Sequence, residues 1–596
     1  MTLTRQPLAK VTQELVAAAT GKTPADTVIK GGKVINVFTG EILPWDIAIK
    51  GDRIATVGEV SHTIGPSTNV IDASGYYLSP GFLDGHVHVE SSMVTVSQFA
   101  RAVLPLGTTG IFMDPHEIAN VLGMEGVRLM VEEGLQLPLK VFATMPSCVP
   151  AAPAFEDAGA VFGPEEIAAA MKWPGICGLG EMMNFPGVLA GDPGVHGELK
   201  ATLDAHKPVT GHYSMPGDFR GVAAYTAAGI RSDHESVLKE DALNRLRLGM
   251  YTKMREGSAW HDVAATVKSI TETGIDSRRA VLVSDDVHPE TLLSTGHLNH
   301  VVRRAISEGL NPIKAIQAVT INCAECFRMD QELGAIAPGR YADILFIRDL
   351  AKVEIDKVMV DGQIIAEGGK LLVDLPAVSY PEFVRSSVHL QEPIDKTHFR
   401  ITAPAGKSSV RIRVMEIIEA SVLTKHLIAE LPVVNGMLEA SVAQDLAKVA
   451  VIERHGNNKG TGLGFVKGFG FQGGAVASTV AHDSHNLLVV GMNDEDMALA
   501  GNTLAECGGG MVAVRDGKVL ALLPLPIAGL MSDRPVEEVA AQLSKVEQAW
   551  RELGCHLLSP FMTMSLLSLP VLPELRLTNR GIVDTVQFRL VDLISS

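Results

Sequence analysis

Cysteine is scarce in this chain: it has 6 in 596 residues, too few for a disulfide scaffold. Long apolar runs are missing too, since no stretch approaches the roughly 18 residues that cross a bilayer as a helix. Residues 1–22 contain neither the apolar segment nor the small-residue cleavage site of a secretory signal. We therefore expect reduced thiols and a cytoplasmic protein that does not enter membranes.

Basic charge is also in short supply. The chain has 51 Lys and Arg against 68 Asp and Glu, a net charge of −17, and no dense basic run. Because nucleic acids and anionic membranes are bound through Lys/Arg patches, we expect neither as a partner. What the chain does contain is 46% hydrophobic residues over a length that exceeds one ordinary domain, which predicts several packed units.

The spacing of apolar residues and turns divides the chain into units. Short strands with Gly/Asp turns occur in two separate stretches, which we expect to form one small β-domain. Between them, short apolar strands alternate with helical stretches, as in a parallel α/β fold. The predicted units are an N-terminal helical segment (1–26), a composite small β-domain (27–79 with 331–375), the α/β unit (80–330), a connector (376–400) and a C-terminal α/β domain (401–596).

The α/β unit contains eight candidate strands. They are expected to end near Asp84, Met113, Ala143, Leu179, Thr210, Ser232, Lys253 and Val283. Eight strands in about 250 residues are typical of a TIM-type barrel. The predicted fold class is α/β: a (β/α)8 barrel inserted in a small split β-domain, followed by a C-terminal α/β domain.

Two histidines follow the first apolar run of the barrel. His86 and His88 stand at i and i+2, and in an extended strand both side chains point to the same side. Two imidazoles on one side suit a divalent metal. The Asp84-Gly85 pair before them is expected to mark the end of the strand, where barrel enzymes keep their chemistry.

Later strand ends supply further residues of metal-binding type. Glu181 follows strand four and could bridge two ions, His212 follows strand five, His234 follows strand six and Asp285 follows strand eight. Together with the first pair they make four histidines and two acids, a combination that chance placement does not explain. The sequence predicts a divalent metal site at the barrel mouth, with donors that suit Mn, Fe and Zn alike.

This arrangement resembles the amidohydrolase superfamily, and within it the bacterial-type adenine deaminases. The bridging position holds Glu181 rather than a carbamylated lysine, as this branch implies. The segments that carry the resemblance are GHVHVESSM (85–93), DPHEIANV (114–121), GEMMN (180–184), SDHE (232–235) and, in the C-terminal domain, AHDSHN (481–486).

The resemblance implies hydrolytic deamination of adenine, a small purine base, to hypoxanthine and ammonia. A binuclear Mn, Fe or Zn centre bridged by Glu181 would generate hydroxide that attacks C6. Asp285 is expected to take the proton of the water and pass it to the leaving amine. Glu235 has two open roles, protonating a ring nitrogen or orienting His234. A homodimer or larger homo-oligomer is expected, as for most soluble enzymes.

The segment after strand two allows two interpretations. Glu90, Asp114, His116 and Glu117 could form an ancillary metal site or a substrate gate. The favoured interpretation is a hydrogen-bonded loop that supports the metal ligands.

Two further groups also keep alternatives open. Arg255 is a candidate for contacting the substrate, but pairing with Glu256 or another acid is favoured. His482, Asp483 and His485 could form a second metal cluster. Hydrogen bonding within a domain interface, or completion of the barrel mouth, is favoured for these three.

The sequence leaves competing functions open. One is another amidohydrolase-superfamily hydrolase that acts on a cyclic amide or other ring amine. Another is a non-catalytic protein on a barrel scaffold, which is disfavoured because all six candidate ligands are present.

Another nucleobase-deaminase chemistry uses His-x-Glu followed by Pro-Cys-x-x-Cys. The Cys-x-x-Cys at 323–326 follows Asn322 instead of proline and has no second pair, so it is expected to lie buried in a helix.

Overall fold

The computed structural model describes residues 5–419 and 421–595. Residues 1–4 of the predicted N-terminal segment, and residues 420 and 596 of the predicted C-terminal domain, lie outside the described part. The N-terminal segment forms a helix, Leu8–Ala19, whose Leu15 and Ala18 are buried together with Ala55. One apolar face of this helix therefore packs on the first β-sheet.

Two sheets are built from the stretches that flank the barrel. A four-stranded sheet has the order Arg53–Gly58, Asp46–Lys50, Thr27–Lys30 and Asn69–Asp72. A seven-stranded sheet has the order Lys370–Leu371, Gln363–Glu367, Ile355–Val360, Ile344–Ile347, Tyr77–Pro80, Lys33–Asn36 and Glu41–Leu43. Its two halves meet where Ile344–Ile347 runs antiparallel to Tyr77–Pro80. The barrel is thus inserted between two parts of one sheet.

Eight parallel strands form the barrel, each beside its neighbour in sequence. They are Phe82–His88, Thr108–Met113, Lys140–Met145, Ile176–Met182, Val209–Gly211, Ile230–Asp233, Tyr251–Arg255 and Ala280–Val283. A two-residue strand, Asp285–Asp286, continues the eighth and pairs in parallel with Val87 and His88 of the first. This pairing nearly closes the ring and confirms the predicted α/β barrel class.

Helices alternate with these strands around the barrel. They are Val96–Val103, His116–Gly134, Pro164–Ala170, Phe185–Ala190, Pro193–Asp204, Phe219–Ala227, Lys239–Arg247, Val263–Thr266, Lys268–Thr271, Pro289–Ser294, Leu298–Ser307, Pro312–Ala318 and Ile321–Cys326. Cys323 and Cys326 are buried in the last of them, as expected.

The first barrel strand is longer than expected. Its predicted end at Asp84-Gly85 is wrong, because the strand continues to His88. Gly85 serves close packing rather than a turn: a Cβ there would lie 3.0 Å from Val281 and 3.2 Å from Cys323. His86 and His88 therefore belong to the strand itself, which fixes the direction of both side chains.

A ten-stranded sheet dominates the C-terminal part. Its order is Ile401–Thr402, Met437–Leu438, Thr424–Val434, Ser409–Ile417, Thr461–Lys467, Leu446–Ile452, Leu487–Gly491, Ala475–Ser478, Gly510–Arg515 and Lys518–Pro524. Helices Asp494–Glu506 and Val536–Glu552 pack against it. Further elements are the short helices Glu382–Arg385 and Pro560–Ser565 and a separate sheet of Leu575–Thr578, Gly581–Asp584 and Arg589–Val591.

The C-terminal part is joined to the barrel beside its mouth. Ser532 donates its backbone N–H to Met93 O at 2.8 Å and accepts from Thr95 N at 3.1 Å. Arg580 forms an ion pair with Asp157 at 2.6 Å, in the loop after strand three. One buried apolar cluster runs through both parts. Within residues 5–419 and 421–595, no helix is both long enough and apolar enough to cross a membrane.

Glu198 offers a test of this packing through pH. The carboxyl is buried on helix Pro193–Asp204, and burial, with Asp192 nearby, raises its pKa from 4.5 to about 8. The folded protein thus holds a proton that the unfolded chain releases, so stability is lost as pH rises from about 4.5 to 8. We expect Glu198→Gln to melt at a higher temperature than the parent at pH 8.5, and at the same temperature at pH 4.5.

Melting curves recorded by circular dichroism across this range would measure the effect. Glu165→Gln, on an exposed residue of the neighbouring helix Pro164–Ala170, is the matched control. Parallel pH profiles for Glu198→Gln and the parent would contradict the burial argument.

Candidate metal centre

The strand ends place the six predicted ligands around one point. His86 and His88 lie in the first strand and Glu181 in the fourth. His212 directly follows strand five and His234 directly follows strand six. Asp285 begins the two-residue strand that continues strand eight. Five of the six are buried, and His212 is half-buried. The parallel barrel forces this meeting, because the carboxyl ends of all its strands lie at one mouth.

Glu181 stands at the centre of the imidazoles. Its Oε2 lies 2.7 Å from His212 Nδ1, 3.1 Å from His234 Nε2 and 3.9 Å from His86 Nε2. Its other oxygen, Oε1, lies 3.6 Å from His88 Nε2. The two oxygens of one carboxylate thus face different histidines, as a residue bridging two ions would.

Asp285 approaches the same histidines from the other side. Its Oδ1 lies 3.3 Å from His88 Nε2 and 3.7 Å from His86 Nε2. His86, His88 and Glu181 bring ligand atoms within 4.8 Å of one another, and so do His86, His234 and Asp285. His86 Nε2 is buried and has no hydrogen-bond partner among the described residues. Such an orphaned nitrogen fits a divalent ion of the Mn, Fe or Zn class.

The electrostatics favour neutral His86 and ionised Glu181 and Asp285, whereas nearby carboxylates, against the effect of burial, raise the pKa of His88 and raise that of His212 to about 9. Burial lowers the pKa of His86 well below its ordinary value, and the adjacent imidazoles lower it further. Burial alone would raise the pKa of Glu181, but His212 and its neighbours hold it well below the usual range. Burial likewise opposes the ionisation of Asp285, and the hydrogen bond to His88 with the surrounding cations keeps its pKa low. Neutral imidazoles and ionised carboxylates are the forms that bind metals.

A buried network below the ligands locks strands one and eight together. Asp84 Oδ1 accepts from the backbone N–H of His86 at 3.2 Å and of Ser284 at 3.3 Å. Its Oδ2 accepts from the Ser284 hydroxyl at 2.5 Å and lies 3.1 Å from His297 Nε2. His297 Nδ1 is 2.8 Å from Thr108 Oγ1. Sequence reasoning missed Ser284 and His297, since neither belongs to a metal-ligand motif.

The segment after strand two supports the centre. Asp114 Oδ2 accepts from the backbone N–H of Glu181 at 2.7 Å, and the Asp114 carbonyl lies 3.0 Å from His88 Nδ1. Glu90 Oε1 accepts from Ile118 N at 3.2 Å, and burial, with Glu117 nearby, raises the pKa of Glu90 to about 8. These contacts are those of a supporting loop.

His116 behaves differently from its neighbours in that segment. Its Nδ1 lies 3.1 Å from Glu181 Oε1 and its Nε2 faces Asp483 of the C-terminal part. Glu117 accepts from the Ser91 hydroxyl at 2.9 Å through one oxygen, and its other oxygen faces His485 at 3.9 Å. The segment thus connects the barrel centre to the C-terminal part.

Arg255 pairs with acids, but not with Glu256. One guanidinium nitrogen contacts Glu235 and lies 3.1 Å from Asp285 Oδ2, and Nε pairs with Asp262 at 2.7 Å. Glu235 Oε1 lies 3.5 Å from His234 Nε2. Burial opposes ionisation of Glu235, yet Arg255 and the imidazoles hold its pKa below the ordinary value. Arg255 therefore fixes both Glu235 and the second oxygen of Asp285.

The C-terminal part roofs the centre and leaves a cavity of about 90 Å³. His482 and Asp483 line it beside the ligands, so they complete the barrel mouth, one of the alternatives the sequence left open. The remaining wall is mostly apolar. Its residues are Met183, Trp260, Val422, Leu566, Leu569 and Leu572. Apart from Met183, which belongs to the GEMMN segment, sequence reasoning missed them because no spacing marks them.

Comparison with known proteins agrees with this geometry. Residues 77–365 match the amidohydrolase family and residues 421–589 match the adenine deaminase C-terminal domain. An adenine deaminase of Moorella thermoacetica is 79% identical over 99% of both chains. Adenine deaminases of Clostridium botulinum and Rubrobacter xylanophilus are 55% and 49% identical, each over 99% of this chain and 98% of the relative.

The Asp84 network should control metal affinity. In Asp84→Asn, an NH2 group replaces one carboxylate oxygen, so the side chain can no longer accept both from the backbone N–H groups of His86 and Ser284 and from the Ser284 hydroxyl and His297. We expect divalent metal to bind roughly 10-fold to 100-fold more weakly, the usual effect of losing a support behind a metal ligand. Competition between the protein and a chelator for Mn(II) would measure this. Asp516→Asn, on an exposed turn, should bind as the parent does; unchanged affinity in Asp84→Asn would refute the supporting role.

Proposed function

The chain belongs to the adenine deaminase family of amidohydrolases, and from this we propose that its barrel mouth hydrolyses adenine to hypoxanthine and ammonia. The observation that carries the proposal is the set of four histidines around Glu181, closed by Asp285 beneath a small cavity. Whole-length identity to adenine deaminases, including the domain that roofs the cavity, supports the substrate.

We propose two divalent ions, of Mn, Fe or Zn, at this centre. Support comes from the two overlapping ligand triads that share His86, and from the two oxygens of Glu181 that face different imidazoles. When bound, such ions acidify a water towards a pKa of about 7 and polarise the group under attack. His86, His88, His212 and His234 would hold them together with the two acids.

Asp285 is the proposed proton carrier. Its Oδ1 faces the metal-binding histidines, and its Oδ2 is held by Arg255 at 3.1 Å. A carboxylate fixed in this way can accept a proton from the attacking water and deliver it to the exocyclic nitrogen of adenine. That nitrogen then leaves C6 as ammonia, while the oxygen of the water stays on C6 and its second proton ends on the ring nitrogen N1 of hypoxanthine.

Glu235 is proposed to orient its neighbours. It contacts Arg255 and lies 3.5 Å from His234 Nε2, so it can fix both side chains. A carboxylate paired with an arginine carries no proton for a ring nitrogen, and the alternative role as acid is disfavoured on that ground. The apolar roof, which includes Trp260 and Leu569, would cover a flat purine ring and exclude bulk water.

The setting of the enzyme completes the proposal. We infer a cytoplasmic protein, because the six cysteines are free thiols, five of them buried. A homodimer or larger homo-oligomer is proposed from the general behaviour of soluble enzymes.

Ammonia release tests the function directly. The metal-loaded protein should release ammonia and hypoxanthine from adenine, and removal of metal by a chelator should abolish this until Mn(II), Fe(II) or Zn(II) is restored. The panel should include other aminopurines and cyclic amides. Turnover of a cyclic amide with none of adenine would favour the alternative amidohydrolase activity.

Asp285→Asn separates proton transfer from metal binding. The amide keeps the shape but cannot accept the proton, so kcat should fall by about 10²–10⁴-fold. At least one divalent ion should stay bound, since Glu181 and the histidines remain. Asp276→Asn, on an exposed loop, is the control and should keep the parent kcat. Near-normal turnover in Asp285→Asn would place the proton carrier elsewhere.

A further inference from the structure

A second group of metal-binding side chains lies where the barrel meets the C-terminal part. We name it the junction cluster; it consists of His116, Glu117, His482, Asp483 and His485. All five are buried, with exposed fractions of 7% or less. In the part of the chain that the structure describes, His116, His482 and Asp483 bring ligand atoms within 4.8 Å of one another, and Asp483 Oδ2 is buried without a hydrogen-bond partner. A buried carboxylate that is short of partners is costly unless something else binds it.

The distances in this cluster are those of the barrel centre. Asp483 Oδ1 lies 3.7 Å from His116 Nε2 and 3.6 Å from His482 Nδ1. Both separations exceed an N–H···O hydrogen bond. They match the 3.7 Å from His86 Nε2 to Asp285 and the 3.6 Å from His88 Nε2 to Glu181. Two atoms bound to one ion at about 2.1 Å lie roughly 3.4 Å apart in tetrahedral geometry, close to these values.

The ring of His116 lies between two carboxylates. Its Nδ1 is 3.1 Å from Glu181 Oε1 without forming an aligned hydrogen bond, and its Nε2 is directed at Asp483. Metal-binding imidazoles commonly have a carboxylate beside their other nitrogen. If His116 instead paired with Asp483 through a proton, its Nε2 would be expected nearer than 3.7 Å.

His485 is a supporting residue rather than a ligand. Its Nδ1 accepts from the backbone N–H of Ala481 at 3.2 Å, so the proton of the neutral ring is on Nε2. That N–H points towards Glu117 Oε2 at 3.9 Å. Glu117, His482 and His485 bring polar atoms within 4.8 Å of one another, so Glu117 stands behind the ligands.

We propose that His116 Nε2, His482 Nδ1 and Asp483 Oδ1 bind one further divalent transition-metal ion, separate from the barrel centre. Two imidazoles and one carboxylate are a donor set for Zn, Mn or Fe. All three residues line the cavity, so a remaining coordination position faces the substrate. Since two ligands come from the C-terminal part, the ion also fastens the roof to the barrel. This proposal rests on the proposed function only in its count of two ions at the barrel centre.

Metal analysis of the full-length protein tests this. Protein saturated with Zn(II) and freed of unbound metal by gel filtration should contain three ions per chain. His482→Gln and Asp483→Asn should each contain one ion fewer, and His86→Asn should keep the junction ion while losing metal from the barrel. His426→Gln, on the long hairpin strand Thr424–Val434, is the matched histidine control and should retain the parent content.

Several outcomes would overturn the proposal. Crystals of the Zn(II)-saturated parent with no anomalous zinc peak between His116, His482 and Asp483 would do so without any variant, which covers the case of variants that fail to fold. Equal metal content in the parent and in a folded His482→Gln variant would also overturn the proposal. A raised KM for adenine in that variant would then assign His482 to direct substrate contact. Loss of adenine turnover in a parent that still holds the junction ion would instead overturn the proposed function alone.

Discussion

The charge of Glu181 is the constraint on which the site depends. A carboxylate buried to 2% exposure in a protein interior is stable only if positive charge or donors surround it. Here the imidazoles of His86, His88, His212 and His234 surround it, and His116 Nδ1 lies 3.1 Å from its Oε1. A bound metal ion would offset the negative charge that Glu181 and Asp285 bring to this site. The need to compensate the buried charge of Glu181 therefore sets the position of each neighbouring side chain.

The barrel satisfies this requirement through its first and last strands. Asp285–Asp286 pairs with Val87 and His88, so Asp285, the proposed proton carrier, and the strand that carries the first two imidazoles are held by backbone hydrogen bonds. Asp84 adds a side-chain lock on the same two strands. Asp285 itself has φ of +60°, a conformation that ordinary residues seldom adopt, which is consistent with a backbone shaped for function. The C-terminal part then closes the mouth from above.

Much of the fold, and the meeting of the six candidate ligands at one mouth, could be predicted because both follow local rules. The i and i+2 spacing of His86 and His88, and single ligands after later strands, are visible in sequence order. The predicted end of strand one is wrong because Gly85 forms no turn and instead serves close packing inside the barrel. His297 and the apolar roof around Leu569 could not be found, since they meet the site only through tertiary contacts that no local spacing encodes.

The insertion of the barrel has a consequence for how the chain is made. The strand Tyr77–Pro80 needs Ile344–Ile347 as its partner, and the whole barrel is synthesised between them. A nascent chain therefore carries an open sheet edge on the ribosome until residue 347 has emerged. If the barrel folds as soon as its last strand appears, it brings residues 80 and 344 together and shortens the loop that the sheet must close. The interrupted sheet can thus be completed only after the barrel inside it has been synthesised, and folding of the barrel assists that completion.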